Sequence, residues 1–152
     1  MLAAMSAAER AGARKFITTL GGTVTENLIR AVTAWFRQES GSVAGVLGNN
    51  PFNIRPGAAT KLSNGTRPAA GNGVFLTFPS LTVGFQAAAV VLASSGGTYG
   101  YDHAIAALKR GDSIGFLAKL AESSWCASHY GVEPLCARSA HNHLVAVFEK
   151  IP

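Results

Sequence analysis

One row of apolar residues in the sequence leads to a carboxylate. Leu28, Val32 and Trp35 follow one another at intervals of four and three residues, which is the spacing of one face of an α-helix. Glu39 is the next position of that row. We expect it at the edge of the core, where partial loss of water favours the protonated form of a carboxyl group. A glutamate that is protonated at neutral pH can serve as a general acid.

The same spacing also fits an ordinary helix end. A small rotation of the helix would turn Glu39 into solvent, and Arg37 or Arg55 would be able to pair with it. On spacing alone, this structural interpretation is favoured over the catalytic one.

The loop after Glu39 shifts that balance towards chemistry. Three glycines between residues 41 and 48 allow an irregular path, and Asn49-Asn50-Pro51 is typical of a turn. Asparagine side chains offer both donors and acceptors, the groups that bind the acetamido and hydroxyl groups of a sugar. Phe52 is a candidate to stack on a sugar face, although a core position is more usual for a single phenylalanine.

This region resembles a known family. QESG, the glycine-containing loop and NNPFNIR are similar to the helix-terminal glutamate and following loop of glucosaminidase-type peptidoglycan hydrolases of the lysozyme-like superfamily. GVFLTFPSLTVGFQAAAVVL, TYGYDHAIAAL and LAESSWCASHYG resemble later segments of those proteins, in the same order. The resemblance covers about residues 26–131. It departs from the family at Asn53, where those proteins usually have glycine, and it does not extend to residues 1–20 or 132–152.

The resemblance implies roles for particular residues. Glu39 would be the catalytic acid that protonates the glycosidic oxygen, and Tyr130 would contact the sugar near the scissile bond. Asn50 and Asn53 would shape the cleft wall. The complete set of candidate substrate-binding residues is Asn50, Phe52, Asn53, Tyr99 and Tyr101. Of the two tyrosines in this set, Tyr101 is the one expected to be exposed.

A second carboxylate is hard to find. Most glycosidases use two, yet residues 40–101 contain neither aspartate nor glutamate. Glu122 and Glu133, which flank the late tyrosine segment, are the remaining candidates. The lack of acidic residues between 40 and 101 favours a mechanism with one protein carboxylate. In such a mechanism the 2-acetamido group of the substrate or a muramyl 6-hydroxyl attacks the sugar carbon of the scissile bond. Both routes need N-acetylated amino sugars, which indicates peptidoglycan and, less well, chitin.

The two cysteines, Cys126 and Cys136, are a candidate disulfide in an oxidising compartment, and they would stay reduced in the cytosol. Together with His129, His141 and His143 they could be read as a zinc site, but their spacing matches no standard zinc pattern. We therefore expect neither a metal nor another cofactor.

Composition narrows the class of protein. The 152 residues suffice for one domain, and 48% hydrophobic with 14% charged residues argues against disorder. No apolar run reaches the ~18 residues of a membrane span, and the first residues lack the pattern of a signal peptide. The net charge of +5 suits an anionic polymer. Because the basic residues are scattered, nucleic acid is not the expected partner.

Caps and periodicity predict a mainly α fold, with about six helices and one small β-hairpin after the second helix. The family resemblance implies that this is a lysozyme-like α+β fold, in which the hairpin follows the catalytic helix. The predicted helices begin at Ser6, Thr23, Ser80, Asp102, Asp112 and Ser139 and end near residues 20, 39, 95, 110, 123 and 150. Phe52–Arg55 and Val74–Phe78 are the predicted strands of the hairpin.

Together these features predict a single, monomeric lysozyme-like glycosidase domain over residues 1–152 that cuts peptidoglycan glycan strands. It would act as a hydrolase of glucosaminidase or muramidase type. The alternatives are a lytic transglycosylase that leaves anhydro-MurNAc ends, and a non-catalytic wall-binding or structural module.

The expected source is a bacteriophage endolysin, whole or a module of a larger one. It would be made in the host cytoplasm without a signal peptide and would act bacteriolytically on the cell wall. A cell-wall remodelling enzyme is the other source considered.

Overall fold

The computed structural model describes residues 1–69, 71–95, 97–125 and 135–152, with the backbone alone for 135–141. Within these residues the fold is mainly α-helical with one two-stranded antiparallel sheet, as predicted. The helices are α1 (Ala7–Thr19), α2 (Glu26–Ser40), α3 (Leu81–Ser94), α4 (Tyr101–Lys109), α5 (Ser113–Glu122) and α6 (Leu135–Lys150). The strands are β1 (Gly65–Pro68) and β2 (Val74–Thr77), and two single 3₁₀ turns cover Val43–Gly45 and Thr60–Leu62. No helix in this part of the chain is long and apolar enough to cross a membrane.

Three predicted helix starts are confirmed. The Oγ of Ser6 accepts a hydrogen bond from the backbone N–H of Glu9 at 3.1 Å, and the Glu9 carboxylate accepts one from the backbone N–H of Ser6 at 3.0 Å. This is a complete capping box. Ser80 and Asp112 each accept a hydrogen bond from the backbone N–H three residues further on. The chain therefore sets the starts of α1, α3 and α5 by local chemistry alone.

The predicted N-caps of α2 and α4 are each wrong by two residues. The cap of α2 is Thr25 and not Thr23, because the Oγ1 of Thr25 accepts the hydrogen bond from the backbone N–H of Leu28 at 3.2 Å. The residue before α4 is Gly100, whose φ of 77° lies in the left-handed region. Asp102 consequently lies inside the first turn of α4 and does not cap it.

The predicted hairpin pairs the wrong segments. β2 pairs with β1, with Arg67 opposite Phe75, and does not pair with residues 52–55. Asn53 has a φ of 55°, which an extended strand does not accept. The segment nevertheless lies beside β2, because the backbone N–H of Leu76 donates to the carbonyl oxygen of Ile54 at 2.9 Å.

The core is built around α2. Its predicted buried row is confirmed, since Leu28, Val32 and Trp35 have no exposed surface. The indole ring of Trp35 contacts four other rings, with centroid distances between 4.1 and 6.3 Å. These rings belong to Phe16, Phe52, Phe116 and Trp125. Aromatic pairs at such distances add to the stabilisation that burial itself provides.

The last helix, α6, completes the core beside the N-terminal half of α2, at the end opposite Glu39. Leu144, Phe148 and Ile151 are buried. The helix begins at Leu135, however, so Ser139 lies inside it and is not its cap. From α2, the guanidinium group of Arg30 donates to the carbonyl oxygens of Phe148 and Ile151 at 3.0 and 3.1 Å. These bonds give additional donors to carbonyl groups at the C-terminal end of the helix, where few intrahelical donors remain.

A buried ion pair joins α1 to α2. The Arg37 guanidinium donates to both carboxylate oxygens of Glu9 at 2.7 and 3.0 Å, and it also donates to the carbonyl oxygens of Ala3 and Ala4. Burial alone raises the pKa of Glu9. Hydrogen bonds from Arg37 and Ser6 outweigh burial, and the pKa of Glu9 lies below its ordinary value.

Replacing Glu9 with glutamine tests this pair. At pH 7 we expect the free energy of unfolding to fall by about 1–3 kcal/mol, because Arg37 loses its buried counter-charge. A carboxyl group with a lowered folded-state pKa stabilises the fold above its ordinary pKa, and this contribution is lost as the pH falls through the folded-state pKa. The difference between wild type and Glu9→Gln in urea titrations should therefore shrink below about pH 4.

The matched control is Glu26→Gln. Glu26 pairs with Arg10 in a bidentate ion pair, but both side chains are considerably more exposed than those of Arg37 and Glu9. We expect a smaller change from this variant, because solvent screens an exposed pair. Equal losses in the two variants, or a Glu9→Gln difference that does not decline as the pH falls below about 4, would contradict the assignment.

Candidate functional site

Glu39 lies in the last turn of α2, half-buried, where the buried row ends, as the spacing predicts. Its Oε1 accepts a hydrogen bond from the indole Nε1–H of Trp125 at 3.1 Å. Gly41, with a φ of 73°, ends the helix, and its N–H donates to the carbonyl oxygen of Arg37. The hydroxyl of Ser40 donates to the carbonyl oxygen of Pro51 at 2.6 Å, which ties the helix end to the loop.

The arginines that the sequence offers as partners of Glu39 have other contacts. Arg37 forms the ion pair with Glu9 described above. The Nη1 of Arg55 donates to the carbonyl oxygen of Asn72 at 2.8 Å. The structure thus brings Glu39 to an indole N–H that lies 86 positions further along the chain, a contact that neighbouring residues do not indicate.

A line of aromatic rings runs from the core to the surface beside Glu39. Trp125 packs edge-on against Trp35, with ring centroids 5.0 Å apart, and it lies 6.4 Å from Tyr101. Tyr101 in turn lies 5.8 Å from Tyr99. The expectation that Tyr101 is the exposed tyrosine is wrong, because Tyr101 is 7% exposed and Tyr99 is 49% exposed. Burial, and secondarily the nearby Tyr99, raises the pKa of the Tyr101 phenol above its ordinary value.

A cleft of about 860 Å³ opens beside these rings. It is lined by residues 53–58, by Phe75 of β2, by the end of α3, and by Tyr99, Tyr101 and Trp125. Glu39 is not itself among the lining residues. Its carboxylate is one hydrogen bond away from the cleft, through Trp125. Among the described residues that line the cleft there is no carboxylate.

Asn50 organises the loop from within. It is 1% exposed. Its Nδ2 donates to the carbonyl oxygens of Ile54 and Leu76 at 2.9 and 2.8 Å, and its Oδ1 accepts from the backbone N–H of Ile54 at 2.9 Å. A direct substrate contact by Asn50 is therefore wrong for this structure. Its amide shapes the cleft wall by holding residues 50–54 against β2.

Asn53 does line the cleft and is half-buried. Its φ of 55° lies in the left-handed region, where asparagine is enriched over most other non-glycine residues. The departure from the glycine of the resembled family therefore keeps the backbone conformation that glycine would allow. It adds an amide side chain to the cleft wall.

Phe52 belongs to the core. It has no exposed surface, and its ring lies 4.1 Å from that of Trp35 and 5.2 Å from that of Phe85. The expectation that Phe52 stacks on a sugar is therefore wrong. Instead its ring anchors the loop to α2 and α3.

The loop also depends on Gly84, which the sequence reasoning did not single out. A Cβ atom at this position would collide with the carbonyl oxygen of Asn49 and would lie 2.6 Å from the Cδ of Pro51. The absence of a side chain lets α3 approach the loop closely. The available signal was a glycine inside an otherwise apolar helix, a position where glycine is unfavourable unless close packing requires it.

Glu122, a candidate second carboxylate, lies on the surface at the end of α5. It is exposed and pairs with Lys119 at 3.1 Å, and it is not among the residues that line the cleft. The structure therefore does not bring it into the site. The other candidates, Tyr130, Glu133 and Cys126, lie outside the described residues, as does the side chain of Cys136. No group of potential metal ligands occurs among the described residues.

Comparison of the chain with protein-family models, with curated proteins and with solved structures found no match. The resemblance in the sequence therefore stays a prediction, and the functional argument depends on the geometry of the site.

Replacing Asn50 with alanine tests its structural role. We expect the free energy of unfolding to fall by about 2–4 kcal/mol, because the backbone N–H of Ile54 and two carbonyl oxygens lose a buried partner. Urea titration measures the loss. The control is Asn72→Ala on the exposed part of the same region, for which we expect a change within about 0.5 kcal/mol. An Asn50→Ala variant that keeps its stability but loses ligand affinity would restore Asn50 as a substrate contact.

Proposed function

We propose that this protein is a glycosidase that cuts the glycan strands of bacterial peptidoglycan, with Glu39 as the general acid. The observation that carries the proposal is the position of Glu39. It is half-buried at the end of a buried helical row, and its Oε1 is held by the indole N–H of Trp125, which lines the cleft. A general acid has to be held in a fixed direction beside the substrate, and this hydrogen bond holds the carboxyl group against a residue that lines the cleft.

The cleft has the mixed character of a carbohydrate site. Tyr99 presents a half-exposed aromatic ring, and Asn53 presents an amide. The hydroxyls of Ser94 and Ser95 donate to the carbonyl oxygen of Val91, and their oxygens keep the capacity to accept. Pockets that combine apolar surface with a few polar groups bind and orient small ligands, including sugars.

The absence of a carboxylate among the described lining residues supports a mechanism with one protein carboxylate. The Glu39 carboxyl proton passes to the glycosidic oxygen as the bond between that oxygen and C1 breaks. The carbonyl oxygen of the substrate's 2-acetamido group bonds to C1 and forms a cyclic intermediate. Water then attacks C1, the ring opens, and the water proton returns to Glu39. Such chemistry requires an N-acetylated amino sugar.

The same site suits an intramolecular variant of the second step. If the 6-hydroxyl of a muramyl residue attacks C1 in place of water, the product carries an anhydro end and the reaction is that of a lytic transglycosylase. The choice depends on whether water or the hydroxyl reaches C1 first. Mass spectrometry of the digest distinguishes a reducing GlcNAc end, a reducing MurNAc end and an anhydro-MurNAc end.

The segments that resemble glucosaminidase-type hydrolases support the choice of peptidoglycan over chitin. They also support a bacteriolytic role in a phage endolysin, made in the host cytoplasm and acting on the cell wall. The main alternative is a wall-binding module of the same shape without catalysis, which would bind purified walls and release no soluble glycan.

Glu39→Gln is the decisive variant for catalysis. We expect the release of soluble glycan from purified peptidoglycan to fall by at least about 10²-fold, because an amide cannot supply the proton. The control is Glu122→Gln, which removes an exposed carboxylate outside the cleft and should leave the rate unchanged. Glu39→Gln protein that digests walls as fast as wild type would refute the proposal.

Trp125→Phe tests the positioning of the acid. The variant keeps an aromatic ring against Trp35 but lacks the Nε1–H that binds the Oε1 of Glu39. We expect kcat to fall about tenfold, because loss of orientation affects the transition state more than substrate binding. Steady-state kinetics on soluble glycan strands would show this pattern. A rise in KM with an unchanged kcat would instead make Trp125 only a binding residue.

A further inference from the structure

Two arginines contact one aromatic ring that lines the cleft. The Cζ atoms of Arg55 and Arg67 each lie 4.9 Å from the ring centroid of Phe75. The two guanidinium groups are therefore separated by no more than twice that distance. Arg67 is held in place by the sheet, since it lies directly opposite Phe75 in the register of β1 and β2.

Arg55 is held by the turn between the strands. Its Nη1 donates to the carbonyl oxygen of Asn72, and a Cβ atom at Gly73 would lie 3.0 Å from the same nitrogen. Gly73 has a φ of 82°, so glycine suits both the backbone and the guanidinium. This fixes the direction of a side chain that is otherwise exposed, which reduces the entropy lost when a ligand binds.

The positive charge of this pair is not balanced locally. Neither Arg55 nor Arg67 takes part in an ion pair within the part of the chain that the structure describes. Residues 40–101, which supply both strands and the loop, contain no aspartate or glutamate. Two cations at this separation repel each other, and an anion placed near both relieves the repulsion.

One atom of the pair also lacks a hydrogen-bond acceptor. The Nε of Arg67 is buried and has no hydrogen-bond partner among the described residues. Buried donors are nearly always paired, so one without an acceptor requires an explanation. Because this atom is buried and Arg67 is not among the residues that line the cleft, a ligand would meet the exposed guanidinium of Arg55 and the unbalanced positive charge of the pair, and not the Nε of Arg67.

We propose that Arg55, Arg67 and Phe75 form a carboxylate subsite for the peptide stems of peptidoglycan. This inference rests on the proposed function, because it assumes that a glycan strand occupies the cleft. A stem branches from the sugar itself and brings free carboxylates close to the strand, whereas chitin carries none. The guanidinium fork matches a carboxylate with two parallel hydrogen bonds. The subsite therefore makes the enzyme select strands that carry acidic stems.

Binding to two forms of the same wall material tests the subsite without any need for cleavage. Peptidoglycan freed of teichoic acid is used either native or with its carboxyl groups converted to amides, and bound protein is measured by co-sedimentation. We expect wild type to bind native walls up to about fivefold more tightly for each arginine engaged. The preference should decline as salt rises towards ~1 M.

Arg55→Gln and Arg67→Gln should each lose one arginine's share of the preference, and the double variant should bind native walls as weakly as wild type binds amidated walls. Arg55→Lys should keep part of the preference, because it keeps the charge and loses the fork. The matched control is Arg14→Gln, an exposed arginine of α1 outside the cleft, which should retain the full preference. Circular dichroism of each variant separates a loss of binding from a loss of folding.

Several outcomes would overturn the subsite. Wild type that binds the two wall forms equally would do so, as would arginine variants that keep the preference. A preference that appears only when teichoic acid is left on the wall would assign the arginines to a phosphate polymer. The two proposals fail separately. Glycan release that is equal from both wall forms refutes the subsite alone, whereas Glu39→Gln protein with full activity refutes the catalytic proposal and leaves the binding comparison decisive.

Discussion

The packing of Trp35 is the constraint on which the site depends. Its ring contacts Phe52, which anchors the loop, and Trp125, which holds Glu39. The same ring contacts Phe16 of α1 and Phe116 of α5, so α2 cannot rotate about its axis without breaking contacts on several sides. Interiors packed in this way transmit small displacements, because they leave few voids to absorb them. The direction of Glu39 at the end of α2 is thereby fixed by the core.

The loop depends on the same packing and on two further residues, Asn50 and Gly84. The amide of Asn50 satisfies backbone groups of Ile54 and Leu76 that burial would otherwise leave unpaired. Gly84 lets α3 approach the turn at Asn49 and Pro51. A loop of irregular backbone is difficult to bury, because its N–H and C=O groups need partners. Here a single asparagine provides three of the hydrogen bonds, and the adjoining residues 53–58 are left to line the cleft.

Local chemistry explains what the sequence predicts well. The caps at Ser6, Ser80 and Asp112 and the buried row that leads to Glu39 depend on residues within one or two helical turns, so spacing alone reveals them. The hairpin is different. The sequence predicted residues 52–55 as the partner of β2, but the structure pairs β2 with β1. The left-handed φ of Asn53, which does not fit an extended strand, is not visible in a pattern of apolar and polar residues.

The side chains of the site were predicted less well than its location. The sequence could not indicate the hydrogen bond between Trp125 and Glu39, because no local period links positions so far apart. An asparagine side chain can hydrogen-bond either to a sugar or to the protein backbone. Because Asn50 is buried, its amide binds the backbone of Ile54 and Leu76. Tyr99 and Tyr101 differ in exposure although they are two residues apart. Tyr101 begins α4 and its ring packs against Trp125, whereas Tyr99 precedes the helix and lies further out along the line of rings.

The lack of acids between residues 40 and 101 has two consequences that belong together. It removes the nucleophilic carboxylate that most glycosidases place across the cleft, and it leaves the guanidinium groups beside Phe75 without a counter-charge. A carboxylate on this loop would serve as nucleophile only by also neutralising the arginines, which lie in the same segment. A chain that relies on the substrate's own acetamido group is free of that conflict. On the proposed mechanism the loop stays positively charged for an acidic strand, while the proposed acid, Glu39, lies on α2 with its Oε1 bound by the indole N–H of Trp125.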